Sequence, residues 1–576
     1  MGYMDQYRKW LEVFADDEAT VSELNSIADN RAEIEDRFYR ALEFGTAGMR
    51  GVIGMGLNRM NVHNVRRVTR ALAKIIKNHS GGAERGVVIG YDSRNMSPAF
   101  ARETALTFAA CGVRAMLFSS LRPVPVLSFS VRHLGAIAGV EITASHNPSK
   151  YNGYKVYWED GGQLPPARAD EVTAEIERTS YEESVAMDED AAIRAGLLIY
   201  PGPEIDDAYI ASVKKLQVNP ELAREMGDQL KIVYTPLNGT GNLPVRRILR
   251  EIGMRHVFVV PEQELPDGNF PSVKVPNPED PDAFRLAIGM QKRLGADLCV
   301  GTDPDCDRVG VACLTESGDV RMLSGNQIGC LLLDYICSQK KARGELPANG
   351  AAVSSIVSTD MAKAICRDFG MAHIEVLTGF KFIAEQIQRF EDTGEHTFLF
   401  GFEESYGFLS GTEVRDKDGV NAVMLIAEAA AYYKARGMTL ADAADELGKK
   451  YGYYGDHIKS VTLAGKDGRA KIEAIMGRLH TEKLGEIGGS KVRATRDYLR
   501  GTRETSDGTI APAGLPESDV LYYELEGGAW VCVRPSGTEP KIKVYINAVS
   551  DAPEKTEALL AAYAGDMDRI LAIQPV

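Results

Sequence analysis

The stretch from Arg85 to Ser119 reads RGVVIGYDSRNMSPAFARETALTFAACGVRAMLFS. Its apolar run Gly86–Tyr91 has the length of a buried strand, and Asp92-Ser93-Arg94-Asn95 makes a polar turn. A helical pattern follows as far as Cys111-Gly112, then a second apolar run at Ala115–Phe118. Glycine just past a helix is a left-handed stop, so the spacing predicts a strand–loop–helix–glycine–strand unit.

The same succession returns twice. Leu230 to Val260 runs through Ile-Val-Tyr, Pro-Leu-Asn-Gly-Thr-Gly, a helix to Ile252-Gly253 and Val-Phe-Val-Val. Gly350 to Leu377 runs through Ala-Val-Ser-Ser-Ile, Ser358-Thr359-Asp360, a helix to Phe369-Gly370 and His-Ile-Glu-Val-Leu. Three such units predict three related α/β domains with mixed, mostly parallel sheets. After Tyr451 the pattern changes to α+β. Strands are expected at His457–Thr462, Val520–Leu525, Ala529–Val533 and Lys541–Val549, with helices at Gly468–Leu484 and at the end of the chain. The expected domains are therefore 1–200, 201–315, 316–451 and 452–576. A chain of 576 residues is too long for one core.

Composition narrows the partners. With 44% apolar and 26% charged residues the chain reads as globular, and a net charge of −15 argues against nucleic acid. Its eight cysteines form no Cys-x-x-Cys pair and sit mostly in apolar runs, as in a reducing compartment. Neither an apolar leader nor an apolar run of ~18 residues is found, so a cytoplasmic enzyme without a membrane partner is expected. The oligomeric state is left open. An anionic substrate would need positive charge gathered locally.

Four loops carry residues suited to chemistry. Thr143-Ala144-Ser145-His146-Asn147-Pro148 follows an apolar run and presents Ser145 on a turn stiffened by proline, with Lys155 shortly after. A Ser-His-Asp hydrolase is disfavoured, because adjacent residues rarely aim at one another and Gly-x-Ser-x-Gly is missing. Gly301-Thr302-Asp303-Pro304-Asp305-Cys306-Asp307-Arg308 places three carboxylates at alternate positions. Oxygen-only ligands favour Mg²⁺, and the calcium-loop pattern fails because Arg308 and Leu314 stand where glycine and glutamate are required. Gly401-Phe402-Glu403-Glu404-Ser405-Tyr406-Gly407 suits a polyhydroxyl ligand. Arg534-Pro535-Ser536-Gly537-Thr538-Glu539-Pro540-Lys541 suits a phosphate dianion. Each has a plainer reading as a solvated turn. Together, one to a domain, they predict a cleft and a Mg²⁺-dependent phosphoryl-transfer enzyme for a hydroxylated phosphate.

The motifs TASHNP, GTDPDCDR, FEESYG and RPSGTEP, with FGTAGMRG around Arg50 and TGFK around Gly379 and Lys381, resemble the α-D-phosphohexomutase superfamily. The spelling is closest to its phosphoglucomutase/phosphopentomutase branch. The resemblance implies three α/β domains and a TATA-binding-protein-like fourth domain around a central cleft. It implies interconversion of glucose 1-phosphate and glucose 6-phosphate through phosphoserine at Ser145 and a bound glucose 1,6-bisphosphate. Asp303, Asp305, Asp307 and a phosphoryl oxygen on Ser145 would hold Mg²⁺. His146, Lys155 and Arg50 would serve as acid/base and phosphoryl-stabilising groups. Glu403 and Ser405 would hold sugar hydroxyls. Arg534, Ser536, Gly537 and Thr538 would hold the phosphate not being transferred, and Arg308, Gly379 and Lys381 would contact the ligand. Because the bisphosphate must turn over between two transfers, the fourth domain is expected to move. Phe402, where hexose-specific relatives often carry glycine, leaves room for a pentose phosphate. Phosphopentomutase, phosphomannomutase, a Mg²⁺-dependent phosphatase and a non-catalytic sensor are the alternatives.

Overall fold

Gly112, Gly253 and Gly370 stand in the left-handed region at φ 72°, 102° and 70°. Each follows the helix it ends, Ser97–Ala110, Asn242–Glu251 and Met361–Phe369. The backbone turns there at no steric cost and feeds the next parallel strand. The computed structural model describes residues 2–45, 48–315, 317–463, 468–536 and 541–571. The chain divides into two compact units.

The first unit comprises Met1–Ser324, Ile383–Gly394 and Ser405–Leu440. Its first sheet is built from β1 (Phe44–Gly45), β2 (Gly48–Val52), β3 (Val87–Tyr91), β4 (Ala115–Leu117), β5 (Ala138–Ile142), β6 (Tyr151–Trp158) and β7 (Leu198–Ile199). They lie in the order β1-β2-β6-β5-β3-β4-β7. Strands β5, β3, β4 and β7 are mutually parallel, and β6 and β2 join antiparallel. The parallel strands read as continuous apolar runs because helices cover both faces, and Val87, Ile89, Ala138, Val140 and Ile142 are fully buried. Register places Gly90 beside Glu141, and Glu141 opposite Lys155, so one face of this apolar sheet carries a polar row.

The second sheet contains β8 (Lys231–Thr235), β9 (His256–Val259), β10 (Leu298–Thr302), β11 (Val309–Leu314) and β12 (Val320–Leu323), in the order β12-β11-β10-β8-β9. Strands β8, β9 and β10 are parallel, and the turn between antiparallel β10 and β11 holds the three aspartates. Three helices the sequence reading did not delineate, Tyr3–Val13, Glu18–Ser26 and Arg31–Phe38, enclose a small core of Tyr7, Trp10, Leu24, Ile34 and Phe38.

The second unit comprises Gly325–Phe382, Glu395–Glu404 and Ala441–Val576. Strand Gly350–Ser355 pairs in parallel with Ala372–Val376 on one side and Thr397–Glu403 on the other. Beyond Tyr451, Tyr453–Thr462, Lys541–Ser550, Trp530–Pro535, Leu521–Leu525 and Ser490–Asp497 form an antiparallel sheet in that spatial order. Ile472, Met476, Tyr563 and Met567 pack from two helices onto its core with Val531, Val533, Val544 and Ile546. Two details differ from expectation. The helix from Gly468 ends at Leu479, because His480 leaves it to engage the carboxylates of Asp497 and Asp519 at 2.9 and 2.8 Å. Strands Ser490–Asp497, Thr502–Thr505 and Ile510–Pro512 were not anticipated. Ile510–Pro512 is only three residues long, Thr502–Thr505 is polar throughout, and between Ser490 and Asp497 chiefly Val492, Ala494 and Asp497 turn inward.

Candidate active site

Ser145 follows β5 with φ 51°, a backbone that a residue with a Cβ adopts only when its surroundings enforce it. The enforcement comes from β3 and the turn after it. Thr143 Oγ1 accepts the Ser145 N–H at 2.9 Å and donates to Asp92 Oδ2 at 2.6 Å. Arg94, buried with Asp92, donates to the carbonyls of Ser145 and Asn147 at 2.5 Å. It also reaches the carbonyls of Pro148 and Tyr151 at 3.1 and 3.2 Å. One guanidinium thus gathers four carbonyls of the serine loop. The Arg50 side chain adds a bond to Asn147 Oδ1 at 2.7 Å.

The left-handed turn brings Ser145 Oγ within 3.1 Å of His146 Nδ1. This corrects the expectation that these adjacent side chains would not meet. Burial, with Arg308 and Arg50 nearby, holds His146 well below the ordinary histidine range, so its surroundings favour the neutral ring. Ser145 Oγ also donates to Asp303 Oδ2 at 2.8 Å.

The aspartate turn is equally constrained. Cys306 sits at φ 54°, its N–H bonded to the Asp303 carbonyl at 2.9 Å. Asp303 Oδ1 accepts the N–H groups of Asp307 and Arg308 at 3.1 and 3.0 Å. Thr240 donates to the Pro304 carbonyl through both its N–H and its hydroxyl, at 2.8 and 2.9 Å. Asp303, Asp305 and Asp307 are buried, and one carboxylate oxygen from each lies within 4.8 Å of the others. Burial and its two carboxylate neighbours push Asp303 well above the usual range. Burial also works against ionisation of Asp307, but Lys417, Lys155 and Arg308 outweigh it and hold that group down.

These residues fit a divalent cation. Asp305 Oδ1 and Asp307 Oδ1 are buried without a hydrogen-bond partner among the described residues. Buried carboxylate oxygens left in that state are costly, and a hard cation is the partner that an all-oxygen set suits. Lys155 Nζ lies 2.8 Å from Asp305 Oδ2 and 3.5 Å from Asp307 Oδ2, and Lys417 Nζ lies 3.2 Å from Asp307 Oδ2. Arg308 donates to Glu279 Oε1 at 2.5 Å and to the Ser405 carbonyl at 3.0 Å. It thereby ties the aspartate turn to the segment of Tyr406, another left-handed residue at φ 65°.

Of the other predicted site residues that the structure describes, Ser405 belongs to the first unit and the rest to the second. Glu403 ends a strand with only 8% of its surface exposed, and its Oε1 accepts the Gly379 N–H at 2.7 Å. Lys381 Nζ stands 4.9 Å from the centre of the Phe382 ring. Arg534 lies near the Tyr545 hydroxyl, and the Ser536 N–H donates to the Lys541 carbonyl at 2.8 Å. Gly537 and Thr538 lie outside the described residues. Phe402, the residue that left room for a pentose phosphate, is buried on the opposite face of its strand from Glu403. Its ring packs where helix Gly325–Ala342 exposes Gly329, at which any Cβ would lie 2.4 Å from the ring. It is a core residue.

Models of the phosphoglucomutase/phosphomannomutase domains match in chain order. The α/β/α domains I, II and III match at 41–183, 207–316 and 324–451, and the C-terminal domain at 481–562. The chain belongs to the phosphoglucomutase/phosphomannomutase family. A phosphoglucomutase of Staphylococcus epidermidis is 36% identical over 543 residues, 94% of this chain and 96% of its own. The crystal structure of pp63/parafusin, a phosphoglucomutase of Paramecium in open form, has a TM-score of 0.66 at 16% identity. It covers 92% of this chain and 94% of its own. A family protein of Burkholderia thailandensis gives 0.64 at 20% identity, with coverage of 92% and 96%. The shared fold is that of the phosphohexomutases, with three α/β domains and a C-terminal domain.

Reading residues singly missed two residues that the structure brings to this constellation. Arg94 stands in the polar turn Asp92–Asn95, and Lys417 stands among the mixed charges of Arg415-Asp416-Lys417-Asp418. Nothing local marks either one. Only the packing of the serine loop on β3, and of Lys417 on Asp307, brings them in. Among the described residues no helix is long and apolar enough to cross a membrane, and all eight cysteines are free.

Proposed function

We propose that this family member interconverts glucose 1-phosphate and glucose 6-phosphate, with Ser145 carrying the phosphoryl group between the two positions. The observation that carries the reading is the hydroxyl of Ser145 held at 2.8 Å from an aspartate of the buried triad, in a chain so similar to a phosphoglucomutase. Mg²⁺, held by Asp303, Asp305, Asp307 and a phosphoryl oxygen on Ser145, would supply positive charge to offset the developing phosphoryl charge.

The chain's own groups do the rest. The phosphorus–Oγ bond of phosphorylated Ser145 breaks as a sugar oxygen bonds to phosphorus, and the freed Oγ takes up the proton that the sugar hydroxyl loses. His146, whose Nδ1 stands 3.1 Å from Oγ, is assigned the relay of that proton from the sugar hydroxyl to Oγ. Lys155, kept cationic by Asp305 and Asp307 against its burial, stabilises the transferring group together with Arg50. Glu403, Ser405, Gly379 and Lys381 are assigned to the sugar. Arg308 orders the loops through Glu279 and Ser405, and a ligand contact is assigned to it as well. Arg534, Ser536, Gly537 and Thr538 are assigned to the phosphate at rest. The product of the first transfer is glucose 1,6-bisphosphate, and the reverse transfer from its other end regenerates phosphorylated Ser145.

Phe402 was the feature favouring a pentose, and its burial against Gly329 removes that argument. The test is a comparison of kcat/KM for glucose, mannose, ribose and deoxyribose 1-phosphates, alongside intact-mass detection of one phosphoryl group on Ser145. Glucose 1-phosphate should lead. Free phosphate as the main product would make the protein a phosphatase, and a faster pentose phosphate would make it a phosphopentomutase.

A further inference from the structure

Glu141 is out of place by every local rule. It stands in β5, between Val140 and Ile142 and among the most buried strands of the protein, and it is 0% exposed. Neither carboxyl oxygen has a hydrogen-bond partner among the described residues. A buried carboxyl without partners costs more than a buried amide or hydroxyl, so an apolar residue would suit the strand better.

The surroundings are nevertheless shaped to admit it. Its neighbour on β3 is Gly90, and a Cβ there would lie 2.3 Å from Glu141 Oε2. Its neighbour on β6, directly opposite, is Lys155. Cross-strand pairs put their side chains on the same face with Cβ atoms about 5 Å apart. Asp92 and Asp305 are the other charged groups near enough to act on it, and both are negative. The cation within its reach is Lys155, whose ammonium is bonded to Asp305 and Asp307.

That bonding creates a conflict. A divalent cation on the triad claims oxygens of Asp305 and Asp307, and it repels an ammonium at the same carboxylates. Lys155 must then find another acceptor. We propose that Glu141 is the second seat of the Lys155 ammonium, which turns across the β5–β6 pair from Asp305 to Glu141 when a divalent cation enters. Glu141 is on this account a positioning residue, and Gly90 is the clearance that lets its carboxyl lie there. The inference rests on the triad being a cation site.

Calorimetric titration of the full chain with Mg²⁺, beside thermal melting without metal, tests it. Glu141→Met and Glu141→Gln should weaken Mg²⁺ binding roughly tenfold or more, the worth of one charged hydrogen bond. Melting of Glu141→Met without metal should be unchanged or higher, since a partnerless buried carboxyl has gone; a merely structural role predicts the reverse. In a Lys155→Met background, Glu141→Met should cause no further loss of Mg²⁺ affinity, because the pair acts as a unit. Wild-type affinity in both Glu141 variants overturns the inference and leaves the triad reading intact, as does an equal loss with and without Lys155. A wild-type protein that binds no Mg²⁺ overturns both.

Discussion

Ser145 Oγ donates a hydrogen bond to Asp303 Oδ2 at 2.8 Å, although 158 residues separate the two in the chain. Each stands at the end of a buried strand, β5 or β10, and each turn contains a left-handed non-glycine residue, Ser145 or Cys306. Two strained turns are thus held face to face by the network around them. The side chain proposed to carry phosphoryl touches the side chain proposed to hold metal.

Ser145→Ala removes the hydroxyl with its contacts to His146 and Asp303, and no apolar packing. The variant should melt within a few degrees of wild type. It should lose nearly all mutase activity, and intact mass should find no phosphoryl group after incubation with glucose 1,6-bisphosphate. Retention of more than a few per cent of wild-type turnover would exclude Ser145 as the carrier.

Asp305→Asn leaves two triad carboxylates and also deprives Lys155 of its nearer partner at 2.8 Å. Turnover should fall, the Mg²⁺ requirement should rise, and EDTA should abolish what remains. Activity undiminished in EDTA would refute a metal at this site.

Arg94→Ala should be destabilising by about 3–5 kcal/mol, because it leaves Asp92 buried and four loop carbonyls without their donor. Lysine in its place keeps the charge but lacks the planar fork, so Arg94→Lys should melt closer to wild type and still lose turnover. A lysine variant with wild-type kcat would mean that Arg94 merely stabilises.

The N-terminal helices should loosen in acid. His63 is buried, stacked 3.6 Å from Phe14, with Nε2 bonded to Thr20 Oγ1 at 2.9 Å. Burial lowers its pKa to about 4, Asp17 pulling the other way without prevailing. The fold therefore favours neutral His63. Its contribution is full above pH ~6.5, the unfolded value, and is lost as pH falls through the folded value of about 4. The loss is of the order of 3 kcal/mol at most. Melting followed from pH 7 to pH 4 should decline more steeply in wild type than in His63→Gln. Parallel declines would place the acid sensitivity elsewhere.

Legibility of the sequence followed the range of the interactions. Gly112, Gly253 and Gly370 announce their helix ends because a C-terminal stop depends on a few neighbouring residues. The aspartate triad is legible because its ligands share one turn. Arg94 and Lys417 act on loops 51 or more residues away, so no window of sequence contains both ends of the contact. The approach of Ser145 to His146 was misjudged because it depends on one dihedral, set by Thr143, Asp92 and Arg94 together. Phe402 was misjudged for a related reason, since its partner Gly329 lies on a distant helix.

Sugar choice should turn on Glu403. A site that takes the sugar in both orientations must hold groups that look alike from either end, and in glucopyranose those are the equatorial hydroxyls on C3 and C4. Glu403 is suited to this: the Gly379 N–H at 2.7 Å fixes its carboxylate, and at 8% exposure it has little water to fall back on. Mannose differs from glucose at C2, away from that grip, so discrimination against it should be modest. Galactose inverts C4 and would leave a desolvated carboxylate oxygen without a partner, a mismatch polar sites reject by up to ~10⁴-fold. Activity should therefore be highest on glucose 1-phosphate, lower on mannose 1-phosphate and nearly absent on galactose 1-phosphate. Glu403→Gln replaces one acceptor oxygen by a donor, so it should slow every hexose and narrow the glucose–galactose gap. If the gap stays as wide in Glu403→Gln as in wild type, the C3 and C4 hydroxyls are read by another residue.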